Sequence, residues 1–309
     1  MNLIDFFGKT RFWGSNRNRF LNKIKFYGVA NKLNEYLANI VLPVYFRLTG
    51  NNPKYSLQRS DSSDVIVSLT SFPARLPKLW LVIECLLRQS VKPDKIRLYL
   101  SKPQVGSLEA LPHSLLKLQN RGLDIILCDG DLRSHKKYYY AFKEYPNSTV
   151  ITVDDDIFYQ TNKIELMLKA AKEHPGCIIT NWAKEILPGV GKYAMWPDVD
   201  SPRKSVWMLP IGVSCVLYPP KCMYQDVCDE SIFTEHCFLA DDVWLTCMAI
   251  LKGTPKYFPN DPDYHTPVII RNNVSLLSEN IHKNQVQIDN LNEYYKKKIG
   301  VEPFKNENR

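Results

Sequence analysis

The sequence lacks an apolar run of the roughly 20 residues that a membrane-spanning helix needs. Its most apolar early stretch, from Tyr36 to Phe46, is about half that length. The opening MNLIDFF is acidic rather than basic, and no small-residue cleavage site follows a long apolar run. No secretory signal is therefore expected. The cysteines, at 85, 128, 177, 215, 222, 228, 237 and 247, form no CxxC pair. Several sit inside apolar segments, such as LVIECLL around Cys85, where a free thiol behaves as a small buried hydrophobe. The expectation is a reducing, cytoplasmic setting without disulfides. Neither GxxxxGK[ST] nor GxGxxG occurs, so the two common glycine-rich phosphate loops are missing. Internal repeats and low-complexity tracts are missing too.

Acid is scarce at one end. Residues 1–60 contain ten Lys or Arg, against only Asp5 and Glu35. The whole excess of +8 lies there, and the remaining chain is neutral. A basic arm on a neutral body speaks against a nucleic-acid partner. Phe6, Phe7, Phe12, Trp13, Phe20, Ile24, Phe26 and Tyr27 interleave with Lys9, Arg11, Arg17, Arg19, Lys23 and Lys25. Two readings stand. The arm lies against an anionic membrane face, cations on the headgroups and aromatics inserted. Alternatively, it forms a helical layer packed on the main domain.

What is present is enough for a large core: 309 residues, 45% of them apolar. From residue 64 the pattern alternates. Asp64-VIVSLTS, Lys95-IRLYLS, Leu123-DIILC, Thr149-VITV and Cys177-IIT read as buried strands. Between them, helices are predicted over Leu76–Gln89, Leu108–Gln119, Lys136–Tyr145 and Asn162–His174. The first carries Leu79, Val82, Ile83, Leu86 and Leu87 on one stripe. A further helix from Val243 to Leu251 ends at Gly253. Such alternation predicts an α/β fold with a largely parallel central sheet covered by helices. Residues 61–160 and 161–300 form its two halves, and 301–309 a frayed tail.

The strongest local feature is TVITVDDDIFY, in which a buried strand delivers Asp154, Asp155 and Asp156 to its carboxyl end. Adjacent carboxylates repel, more so when desolvated. Mg²⁺ or Mn²⁺ relieves that repulsion, binding one or two carboxylates together with substrate phosphates. A solvated acidic turn is the plain alternative. After the first strand stand Thr70, Ser71 and Arg75, where a nucleotide sits in open α/β sheets. Ser and Thr at such a junction are also ordinary caps. Lys136 and Lys137 offer cations to a diphosphate, and Tyr138 a ring to a base. The segment Leu209-PIGVSCVLYPP couples a glycine-containing loop to an apolar strand. Asp241 and Asp242 open the late helix, where one acid serves as a cap and the other as a base for an acceptor hydroxyl. His265 is a candidate to complete a metal shell.

With VSLTSFPAR, KIRLYLS, KKY, TVDDDIFY, PIGVSCVLYPP and ADDVWL in this order, residues 64–292 resemble a bacterial sugar-transferase family related to glycosyltransferase family 2, of the GT-A fold. The resemblance implies a nucleotide-diphosphate-sugar donor, Mn²⁺ or Mg²⁺, and a glycan or lipid-linked acceptor in surface polysaccharide synthesis at the cytoplasmic face. It carries a DxD role onto Asp154 and Asp156, with Asp155 between them. It carries the acceptor-side acid onto Asp241 or Asp242, with Asp242 favoured as base in an inverting transfer. One departure stands out: Ser214-Cys215 occupies the place of a Gly-Gly-like pair. Two other classes compete: a nucleotidyl- or phosphotransferase using the same acids, and a noncatalytic carbohydrate-binding module. The transferase of the first class would ordinarily need a glycine-rich phosphate loop, and the binding module has no use for two acidic clusters.

Overall fold

The computed structural model describes residues 2–9, 26–58, 64–188, 192–259, 268–271 and 277–305. Four parallel strands lead: β1 (Val65–Thr70), β2 (Lys95–Ser101), β3 (Leu123–Cys128) and β4 (Thr149–Thr152). After them come β5 (Ile157–Phe158), β6 (Ile178–Thr180), β7 (Ala183–Glu185), β8 (Arg203–Ser205), β9 (Met208–Pro210), β10 (Val216–Tyr218), β11 (Lys256–Phe258) and β12 (Val268–Ile269). The longer helices are α1 (Leu3–Lys9), α2 (Phe26–Thr49), α3 (Leu76–Leu87), α4 (Lys136–Glu144), α5 (Lys163–Glu173), α6 (Glu230–His236), α7 (Asp241–Lys252) and α8 (Leu277–Ile299).

The main sheet has the order β3-β2-β1-β4-β10-β6-β11-β8. Only β10 and β8 run against the rest, so the sheet is largely parallel. The chain steps outward from β1 to β2 to β3, then returns to lay β4 on the other side of β1. The carboxyl ends of β1 and β4 therefore border a topological switch point, the place where open α/β sheets bind ligands.

The local reasons are plain. β1 is a β-branched run with Ile66, Val67 and Leu69 fully buried, as a two-sided parallel strand requires. The α3 stripe predicted from spacing, Leu79, Val82, Ile83, Leu86 and Leu87, is buried against the sheet. Burying each such side chain contributes about 1.5–3 kcal/mol. The single helix expected over 108–119 is broken. Leu108–Ala110 and Lys117–Arg121 are 3₁₀ turns flanking one helical turn, His113–Leu116. Pro112 is the cause: it disfavours helix at the residue before it and is the N-cap of the turn that follows.

The described part of the arm forms a helical layer. Ala38, Leu42 and Phe46 of α2 are buried, and the Phe46 ring sits 6.4 Å from both Trp80 and Phe158. Asp5 accepts from the Thr161 amide at 2.8 Å and its hydroxyl at 2.6 Å. The aromatic-basic stretch at 10–25 lies outside the described residues. The tail, expected to fray, is docked as far as it is described. Phe304 is buried, stacks on Trp196 and donates its amide to Asn292 Oδ1 at 2.9 Å.

Candidate active site

Strand β4 ends at Thr152, and the turn after it carries the three acids. Their exposures divide the labour. The side chains of Asp154 and Asp156 are 25% and 20% exposed, that of Asp155 only 8%. Asp155 faces inward, accepting from the Ser71 hydroxyl at 2.5 Å and pairing with Arg75. Arg75 Nη1 also lies 3.0 Å from Asp156. Ser71 and Arg75 follow β1, so the middle acid bolts the turn across the switch point. The Asp154 amide donates to the Tyr159 hydroxyl at 2.8 Å, and that hydroxyl reaches the Val213 carbonyl at 3.4 Å. Tyr159 belongs to the VDDDIFY segment, yet its spacing alone did not mark it. Tyr159→Phe should leave that amide without its acceptor and lower stability by about 1–3 kcal/mol, read as a shifted denaturant midpoint.

The second acidic pair meets the first through Lys137. Its ammonium lies 3.1 Å from Asp154 and 3.0 Å from Asp241. Burial opposes this charge, but Asp154, Asp241 and Asp242 outweigh it and hold the ammonium well above its ordinary range. The Ser68 hydroxyl donates to the Lys137 carbonyl, anchoring the start of α4 to β1. Burial likewise opposes the Asp241 carboxylate, but Lys137 and His135 hold it below its ordinary value. Asp242 goes the other way. Burial, then the charge of Asp241, push it up to about 7, and the Gly212 amide donates to it at 3.1 Å.

Gly212 sits between the clusters. A Cβ there would come within 3.2 Å of Asp242 Oδ1 and Lys137 Nζ and 3.7 Å of Asp154 Oδ1. Three residues on, Cys215 occupies a positive φ of 68°, a conformation that favours glycine. This is one of the two positions where the resemblance led to an expectation of glycine.

The sequence-derived candidates thus divide. Asp154, Asp155, Asp156, Asp241, Asp242, Lys137, Ser71 and Arg75 converge. The Thr70 hydroxyl instead donates to the Tyr99 carbonyl at 2.7 Å. Lys136 pairs with Asp131 rather than with an acid of the cluster. Tyr138 is fully buried and hydrogen-bonds His135 at 2.8 Å, so it has no free ring face for a base. His265 lies outside the described residues. Nor does either acid of the pair act as the expected helix cap. The N-cap of α7 is Ala240, without a side-chain cap bond. His135 was not singled out from the sequence. It is wholly buried, stacked 4.5 Å from Phe233, and burial pulls it down to about 4.

Among the described residues, no group of three or more His, Cys, Asp or Glu is assembled to hold a metal ion. The donors do fit a cation shared with a ligand. Asp154 and Asp156 are hard oxygen donors and partly open. Burial holds Asp156 up at about 6 despite Arg75, with the charges of Asp154 and Asp155 adding to the shift. Two carboxylates plus phosphate oxygens are a common Mg²⁺ donor set, so a protein-only cage is not required.

The raised carboxyls have a consequence for stability. The native state holds protons on Asp156 and Asp242 that the unfolded chain releases above their ordinary 3.8. Stability of the metal-free protein should therefore fall as pH rises from about 4 to about 7. Urea midpoints taken in chelator across that window should show the slope, and Asp242→Asn should flatten it.

No protein-family model matches the sequence, and no curated protein matches it. Among solved structures, the chain is similar to S. aureus TarS 1–349 in complex with UDP, with 12% identity over 75% of this chain and 72% of that one, at a TM-score of 0.44. A second crystal structure of S. aureus TarS 1–349 matches at 14% identity over 75% and 72%, with a TM-score of 0.42. Mannosyltransferase PcManGT from Pyrobaculum calidifontis, in complex with GDP-Man and Mn²⁺, matches at 11% identity over 88% of this chain and 77% of that one, with a TM-score of 0.47. Likenesses this distant concern chain path and carry no chemistry over to this protein.

Proposed function

We propose that this chain is a metal-dependent glycosyltransferase that moves a sugar from a nucleoside-diphosphate sugar to a hydroxyl of a glycan or lipid-linked acceptor, with inversion. One observation carries the reading. Two partly open carboxylates, two cations and a second acidic pair converge at the switch point beyond β1 and β4. That arrangement provides separate places for a phosphate-bearing donor and for a base.

Asp154 and Asp156 are the residues that would hold Mn²⁺ or Mg²⁺. Bound there, the cation would neutralise charge developing on the departing diphosphate. Asp155 fixes the turn through Ser71 and Arg75. Lys137 keeps Asp154 and Asp241 together, so the donor and acceptor sides share one electrostatic unit. Asp242 would take the acceptor proton. A carboxylate poised near 7 is matched to that task, because a base works best with a pKa near the operating pH.

The deciding experiment incubates the full chain with a panel of nucleoside-diphosphate sugars and Mn²⁺ or Mg²⁺. Release of nucleoside diphosphate, dependent on the cation and increased by a glycan acceptor, is expected. Release of inorganic pyrophosphate from nucleoside triphosphates instead would identify a nucleotidyltransferase. Metal-dependent nucleotide binding without turnover of any donor would leave a binding module.

A further inference from the structure

The helix that covers the domain has a second apolar face. Ala38, Leu42 and Phe46 of α2 point inward and are buried. Val29, Leu33, Leu37, Ile40, Val44 and Leu48 point outward, with exposures of 65, 56, 42, 50, 52 and 80%. At about 100° per residue, those six positions fall within roughly 100° of arc, one continuous stripe along the helix. Single exposed apolar residues are ordinary, but a stripe of this length marks a contact surface. The charged residues exposed on α2 are Lys32 and Arg47. Glu35, the one acid of α2, is partly covered and pairs with Arg271 at 3.1 Å.

We propose that this stripe seats the protein on an anionic lipid surface, with α2 lying in the headgroup plane. Charge selects this occupant. Residues 1–60 hold ten Lys or Arg against two acids, while the rest of the chain is neutral. An anionic surface complements such an arm, and basic segments beside an apolar helix face are drawn to it. A second copy docked stripe to stripe would bring two equally basic arms together. Among the described residues, no helix is long and apolar enough to cross a membrane, so the helix lies on the surface.

The seating also orients the candidate site. On α2, Asn39 donates to the Ile269 carbonyl at 2.8 Å and accepts from the Arg271 amide at 2.9 Å. Ile269 pairs with Ile157 across β12 and β5, and the Ile270 amide donates to the Asp156 carbonyl at 2.7 Å. The lipid-facing helix is thus joined through one short antiparallel strand pair to the acidic turn. Lipid binding itself does not depend on sugar transfer and is measured with no donor present.

The test uses the full chain and vesicles of phosphatidylcholine, alone or mixed with phosphatidylglycerol. Flotation with the mixed vesicles, release by salt and no flotation with neutral vesicles are expected. A double variant, Leu33→Gln with Ile40→Gln, should keep its helical circular dichroism and bind about tenfold or more weakly, since apolar burial sets the strength of such anchoring. If that variant does not fold, a polarity-sensitive dye on Ile40→Cys gives the second readout, the native cysteines being buried or half-buried. Its emission should shift to the blue with mixed vesicles only. The proposal is overturned if the double variant floats like the parent or the dye does not respond. It is equally overturned if the stripe proves to be a dimer interface, with a parent dimer that the double variant abolishes and no flotation.

Discussion

Asp156→Asn is expected to cut donor turnover by about 10²–10³ while leaving the fold intact. The side chain is 20% exposed on a turn, so shape-preserving loss of its charge removes no core contact. What it removes is the negative charge of one of the two partly open carboxylates that would hold the cation, leaving only a neutral amide oxygen. A Lewis acid at a leaving diphosphate supplies several kcal/mol. Forfeiting about 3–4 kcal/mol of that corresponds to two or three decades, at about 1.36 kcal/mol per tenfold. Calorimetry should show nucleoside diphosphate binding that no longer responds to Mn²⁺. The same substitution relieves the burial of a charge and its repulsion with Asp154 and Asp155, which together outweigh the attraction of Arg75, so thermal stability in chelator near pH 7 should rise rather than fall. Unchanged metal-dependent binding would remove Asp156 from the ligand set.

Asp242→Asn should lose transfer by about 10²–10⁴ and keep donor binding, as removal of a general base does. Asn preserves an acceptor for the Gly212 amide, so the loop that contacts it stays in place. In the parent protein, transfer should rise with pH through the range around 7 in which Asp242 loses its proton, and a bound cation would move that rise downward. The neighbour behaves differently. Asp241 pairs with buried Lys137, and their side chains are 10% and 8% exposed. Asp241→Asn breaks one side of that pair and should cost about 3 kcal/mol, the lower end for buried pairs because Asp154 remains as a partner. The cap role expected for one of the two acids is not found, since neither caps α7, so loss of a cap plays no part in either Asn substitution. Near-normal transfer by Asp242→Asn would place the base elsewhere.

Much of this was legible in the sequence because it is local. Thr149-VITV is a short β-branched run with no helical period, so its burial and the delivery of Asp154–Asp156 to its end follow from residue pattern alone. The α3 stripe follows from spacing in the same way. The alternation of elements implied a largely parallel sheet, but not that β10 would insert antiparallel beside β4. That pairing joins residues 64 to 68 positions apart, such as Val216 and Thr152, and it brings Gly212 to the acids. Only the tertiary structure decided which cation does what. Lys136 and Lys137 are adjacent and chemically identical, yet directions about 100° apart around α4 send one to Asp131 and the other between Asp154 and Asp241. Tyr138, next in line, turns into the core. Sequence fixes residue types and period. Whether a side chain ends at a ligand site or in the core depends on what the sheet lays opposite it. For the same reason only packing shows that α2 buries one apolar face and leaves the other in solvent.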